Sequence, residues 1–311
     1  MSAFWQFFVL SAPSFGIVFA GYLIASFRRW RSSWTAGASK LVFNFVLPAM
    51  LFHLMSRLSS LPPVDSRLLL AFFGGCFIVF VIGRIVAAYL FQLDGVAQSV
   101  FALGGVFSNN VLLGLPLAKL TLGDAALPSV ALVLTFNALT LWTLVTVSVE
   151  WARHGSLTLK GFGKTTLKVV TNPIVAAILL GSLFGLVGLK LPKPAQVVLT
   201  AIGRTAAPAA LLVLGMGLVE YGVRQHWRLS AAITAIKLLL QPLTVWLLAL
   251  ALGLPAMERT VVVLLASMSV GANVYLMAVQ FQTLQGAVAS SLVLSTAAAA
   301  VTTPILLALV H

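Results

Sequence analysis

The residues best placed to do chemistry are two adjacent amides in the middle of an apolar stretch. Asn109 and Asn110 lie within Gly104–Leu120, GGVFSNNVLLGLPLAKL, with Ser108 before them and Gly114 and Pro116 after. Asn requires hydrogen-bond partners, Gly loosens a helix, and Pro removes an amide donor. Irregular backbone at membrane depth has to be buried in protein or line a wet cavity, because hydrocarbon satisfies no polar group. The stretch reads as a discontinuous helix that carries a substrate site. The plainer alternative is a Pro-kinked helix with two packed amides.

A second stretch has the same character. ASMSVGANVYLMA places Ser267, Ser269, Gly271 and Asn273 in the middle of another apolar run. Helices broken at both places would bring two half-helix N-termini together. Their unpaired amides carry positive partial charge and attract anions. The Asn side chains add donors that can hold a carboxylate. The alternative role for Asn109, Asn110 and Asn273 is to tie off the broken backbone.

Two cations add to this picture. Lys237 and Arg204 both lie inside apolar runs, where a charge costs at least ~2.5–3.5 kcal/mol and marks a functional candidate. Lys237 shares a helix face with Gln241, and Arg204 with Pro208. Both could instead bond carbonyls freed at Pro242 and Pro208. Lys237 is the stronger substrate candidate of the two. Asn44, Asn137, Thr140 and Asn172 could line the same site, but each suits an ordinary interhelical hydrogen bond, worth only ~0.6 kcal/mol on average.

Other chemistry is poorly provided for. The single Cys76 and four scattered His give no metal-ligand spacing, and neither HExxH nor GxSxG occurs, so neither an enzyme nor a metal or other cofactor is expected. The six acidic residues, Asp65, Asp94, Asp124, Glu150, Glu220 and Glu258, all fall near the ends of apolar runs or between them. A proton relay or cation antiporter usually places a carboxylate at mid-membrane. Carbonyls and hydroxyls could still bind Na⁺.

The elements that must position these residues follow from composition. Hydrophobic residues make up 60% of the 311, charged residues 8%, and the mean hydropathy is +1.08; soluble proteins carry roughly 25% charged residues. With about 20 residues per span, the chain divides into ten spans at roughly 4–26, 37–56, 68–91, 97–120, 126–149, 166–188, 195–218, 230–252, 260–281 and 287–310. The first run lacks the basic start and small-residue end of a signal peptide and reads as a span. The whole chain, 1–311, reads as one transmembrane transporter domain. The net charge of +13 fits basic loops against anionic lipid rather than nucleic acid, because no loop is long enough to fold alone. Ten Lys and Arg (Arg28, Arg29, Arg31, Lys40, Arg153, Lys160, Lys164, Lys168, Arg224, Arg228) face one side and five (Arg57, Arg67, Lys190, Lys193, Arg259) the other. The richer side is expected in the cytoplasm, with both termini outside.

The chain also repeats itself. Pro13, Gly21 and Pro48 recur as Pro173, Gly181 and Pro208, each 160 residues later. Five spans per half is an odd number, so the second half, approximately 165–311, enters the membrane opposite to the first, approximately 1–151. That is an inverted-topology repeat, with spans 4 and 9 as counterparts. Gly181 and Gly185 form a GxxxG, a close-packing motif that would suit a homodimer.

Across all ten spans the sequence resembles the auxin efflux carrier family in its bacterial permease branch. The resemblance rests on LPAMLFHL, SNNVLLGLPL, TNPIVAAILLG, APAALLVLGMGL, KLLLQP, ASMSVGAN and LVLST…TTP, in that order and spacing. It implies an all-α polytopic membrane protein of five plus five helices, similar to the bile-acid sodium symporter fold, with helices 4 and 9 broken and crossing. It implies a carrier of small organic carboxylates without an obligatory ion gradient; with no carboxylate at mid-span, the expectation is a facilitator in a bacterial inner membrane that works by alternating access, with efflux driven by the membrane potential. The competing expectation is a Na⁺- or proton-coupled symporter of the bile-acid type. On this resemblance Asn109 falls on the crossover Asn that contacts the substrate carboxylate, and Gly114 and Pro116 fall on a G-x-P. Ser108 and Ser269 stand where plant carriers have Pro, which predicts a softer break in span 9.

Overall fold

The computed structural model describes residues 3–27, 31–57, 64–154, 171, 173–189, 191–219 and 227–310. The basic stretch around Lys160, Lys164 and Lys168, and Asn172, lie outside the described residues.

Among the described residues all regular structure is helical, apart from one isolated bridge between Ser108 and Val270. Six helical stretches are long and apolar enough to cross a membrane: Ser32–His53, Arg67–Tyr89, Asp124–Arg153, Lys193–Leu218, Trp227–Ala251 and Gln285–Val310. Shorter apolar helices run over Ala12–Ser26, Gly95–Val106, Asn110–Leu122 and Ala176–Leu186. In order the elements are α1 (Ala3–Ser26), α2 (Ser32–Leu41), α3 (Leu47–Met55), α4 (Arg67–Tyr89), α5 (Gly95–Val106), α6 (Leu115–Leu122), α7 (Leu127–His154), α8 (Pro173–Leu186), α9 (Lys193–Leu218), α10 (Trp227–Ala235), α11 (Gln241–Ala251), α12 (Ala256–Ala266), α13 (Ala272–Gln280) and α14 (Gln285–Val310).

Three π-helical segments, Val42–Val46, Asn110–Gly114 and Ile236–Leu240, join α2 to α3, lead into α6 and join α10 to α11. Each is followed by a helix whose second residue is Pro: Pro48, Pro116 and Pro242. A Pro has no amide to donate, and its ring clashes with the carbonyl one turn back. Widening that turn relieves the clash, so these bulges are written into the sequence.

The turns are equally local. Asp94 caps α5 by accepting from the amides of Val96 and Ala97 at 2.9 and 3.0 Å. Gly123, at φ 79°, reverses the chain between α6 and α7, a conformation that favours glycine.

The broken stretches are the centre of the molecule. Every residue from Ser99 to Val106 and from Thr260 to Ala266 is buried. Large apolar side chains such as Phe19, Leu70, Leu180 and Leu309 point outward, as a lipid-facing surface requires. Helix α1 packs on α9 and α14, α3 on α8 and α9, α4 on α5 and α11, and α12 on α11 and α14. Gly21 lets α1 press on the backbone of Leu212. Gly181 lets α8 press on Phe52, whose carbonyl would lie 2.7 Å from an added Cβ. Gly181 is therefore engaged within the chain.

Candidate functional site

The two interruptions meet. Helix α5 stops at Val106, and Phe107 is extended at φ −82°, ψ 100°. Helix α12 stops at Ala266, and α13 resumes only at Ala272. Between these ends the chains pair as a minimal antiparallel ladder. The Asn109 amide donates to the Ser269 carbonyl, and the Gly271 amide to the Phe107 carbonyl, both at 2.8 Å. Gly271 is required by proximity, since a Cβ there would lie 2.9 Å from the Phe107 ring and 3.1 Å from the Ser108 carbonyl. The second break leaves 267–271 outside any helix, against 107–109 in the first.

The backbone groups freed by the breaks are tied off by other helices. The Lys237 Nζ donates to the Ala266 carbonyl at 2.6 Å, at the C-terminus of α12. The Gln241 Nε2 donates to the Val106 carbonyl at 2.8 Å, at the C-terminus of α5. Lys237 and Gln241 lie four residues apart, so one face of one helix caps the negative ends of both half-helices. Helix α14 props the second break: the Val270 amide donates to Ser295 Oγ at 2.9 Å, and Thr303 Oγ1 donates to the Ser267 carbonyl at 3.2 Å.

The side chains at the crossing are left over. Ser108 Oγ, Asn109 Nδ2, both polar atoms of the Asn110 amide and Ser269 Oγ are buried without a partner among the described residues. A buried polar group left unpaired costs about 1–3 kcal/mol. Several such atoms lie together at the meeting of the two breaks. The cluster is neutral and rich in donors, so it suits the oxygens of a carboxylate.

Gly114, at the end of the π-helical segment, and Pro116, on α6, frame this cluster. A Cβ at Gly114 would lie 2.9 Å from Leu265 and 3.2 Å from Asn110 Oδ1, so glycine admits α12 to the Asn side. Asn273 is half-buried in the first turn of α13. Asn137 lies on α7 with a buried, unpartnered Oδ1. Asn44 is exposed, on the π-helical segment that precedes α3. Arg204 is not at the crossing: it is exposed on α9, on the wall of a cavity of about 550 Å³ that also includes His53, Arg57, Lys119 and Asp124. Among the described residues no group of three or more His, Cys, Asp or Glu is placed to hold a metal ion.

Sequence reasoning missed two positioning residues, Ser295 and Thr303, and the partner of a third, Gln241. A signal existed, since Gln241 was visible on the face of Lys237. Ser295 and Thr303 are eight residues apart, close to one face of α14.

Residues 7–307 match the family described as Membrane transport protein. The chain is 25% identical over 297 residues, 92% of this chain and 90% of the other, to a protein of Rhizobium meliloti (strain 1021) named "Putative malonate transporter".

Proposed function

The chain belongs to the auxin efflux carrier-like family of membrane transport proteins and is a multi-pass membrane transporter rather than an enzyme; from that premise we propose that it carries small organic carboxylates through the crossing of its two broken helices. The observation that carries this reading is the buried cluster of unpartnered donors at Ser108, Asn109, Asn110 and Ser269. The relative named for malonate transport supports a dicarboxylate such as malonate as substrate.

The proposed architecture is five plus five helices in inverted repeat, with spans 4 and 9 crossing. Two contacts support it. Gly21 presses on Leu212, and Gly181 presses on Phe52. Adding 160 to Gly21 gives Gly181, and adding 160 to Phe52 gives Leu212. One contact is the other with the halves exchanged, as a two-fold pseudo-symmetry requires. Alternating access then moves the crossing against α1, α3, α8 and α9.

The proposed transport is uncoupled and electrogenic. In transporters with discontinuous helices, freed carbonyls and half-helix C-termini coordinate the coupling cation. Here the terminal carbonyls of both half-helices are bonded by Lys237 and Gln241. Moving one elementary charge through 100 mV is worth about 2.3 kcal/mol, so a negative interior drives anions outward across a bacterial inner membrane, with both termini outside.

A thermal-shift series of purified protein against mono- and dicarboxylates tests the site, because a ligand bound only by the folded state stabilises it. Malonate is expected to raise the Tm of the wild type, and Asn109→Ala to weaken that response. A carboxylate response unchanged in Asn109→Ala would make Asn109 a structural residue and overturn the assignment.

A further inference from the structure

We propose that the cavity at the Gly123 end of the bundle is a dianion-selective vestibule, separate from the crossing and, with both termini outside, at its outer mouth, where external anions enter. This rests on the carboxylate-transport reading. The cavity, about 550 Å³, is lined by Arg57, Lys119, Arg204, His53, Thr200 and Asp124 among others. With His neutral, three cations less one carboxylate leave +2, the complement of a dicarboxylate.

The charges come from separate elements. Arg57 follows α3, Lys119 is on α6, Asp124 precedes α7 and Arg204 is on α9. Nothing in the packing of one helix requires the others to bring a cation to the same space. Lys119 and Arg204 have neither a hydrogen bond nor an ion pair among the described residues. Like charges left facing a common cavity repel each other, which an anion relieves.

The vestibule and the crossing are distinct sites. Lys119 is ten residues beyond Asn109, or about 15 Å along the helix at 1.5 Å per residue. A small dicarboxylate cannot touch both at once. The free donors at the crossing are neutral side chains, so the crossing distinguishes one charge from two less than a cluster of three cations does. The vestibule has those cations, and attraction scales with the charge of the ligand. It concentrates dianions at the mouth, and the crossing then binds one carboxylate of each. Because the lining charges are open to solvent, added salt weakens the effect.

The test is the concentration dependence of labelled malonate and labelled acetate uptake by reconstituted protein, at low and at 0.5 M ionic strength, roughly the range over which the Debye length shrinks severalfold. Removal of two cations in Lys119→Gln/Arg204→Gln is expected to raise the malonate KM about tenfold at low salt. Acetate should change much less, kcat for either should be nearly constant, and high salt should close the gap. Asp124→Asn should lower the malonate KM, a gain that misfolding cannot produce. Wild-type transport of malonate with KM unmoved by either change, or moved equally for acetate, overturns the vestibule and leaves the crossing intact. Transport of neither anion by the wild type overturns both.

Discussion

The two broken helices cross as partners yet are built from different chemistry. The first break is short, 107–109, and Ser108 and Asn109 in it, with Asn110 beside it, have unpartnered buried atoms. The second is longer, 267–271, and most of its polar groups are engaged: Ser267 Oγ donates to the Leu264 carbonyl at 2.8 Å, and α14 bonds the backbone at 267 and 270. The C-terminus of the first half-helix is capped by the neutral Gln241 and that of the second by Lys237. The difference assigns separate tasks to the two halves. In the proposed site the first supplies free donors for the carboxylate, and the second supplies the frame, bonded by Lys237 and α14, against which they are held.

The comparison can be broken most severely at the contact between the halves. Gly271→Val places branched carbon where a single Cβ already meets Phe107 at 2.9 Å. Overpacking of this kind costs about 1–3 kcal/mol or more. Transport should be lost and the Tm should fall, measured by uptake and by thermal unfolding of the purified protein. Normal uptake would show that the crossing is not rigid.

Next in size is the cap of the second half. Lys237→Met leaves the Ala266 carbonyl without its donor, worth about 1–3 kcal/mol. It should slow transport more than Arg204→Met, whose residue is exposed on a cavity wall. Equal effects on initial rates would contradict the division between frame and vestibule.

The free donors of the first half come third. Asn109→Ala should weaken carboxylate binding by about 1–3 kcal/mol through a lost charge-assisted hydrogen bond, read by titration calorimetry. Ser269→Ala, which removes a neutral hydroxyl from the framing half, should cost about 0.5–1.5 kcal/mol. The reverse order would exchange the tasks assigned to the two halves.

The breaks were legible in the sequence because they are local. A small or polar residue inside an apolar run has one physical meaning, and Ser108–Asn110 and Ser269–Asn273 were located by it. The π bulges ahead of Pro48, Pro116 and Pro242 follow from the same local sterics, although only the break near Pro116 was anticipated. The partners of Lys237 and Gln241 were not legible. Their carbonyls belong to the ends of broken helices 29 and 135 residues away, and only packing brings these together. Arg204 shows the opposite failure. Counted along an apolar run it looks buried, but the bundle opens a cavity beside it.

The central claim is that the crossing carries an anion alone. Protein reconstituted in liposomes with malonate inside, and a K⁺ diffusion potential imposed by valinomycin, measures it directly. Potential is worth about 2.3 kcal/mol per charge at 100 mV, close to a fifty-fold gradient. The account predicts substrate-dependent current and malonate efflux that follow the imposed potential with neither a Na⁺ nor a proton gradient, and both should be reduced in Asn109→Ala. Strict dependence on either cation, or flux indifferent to the potential, would contradict it.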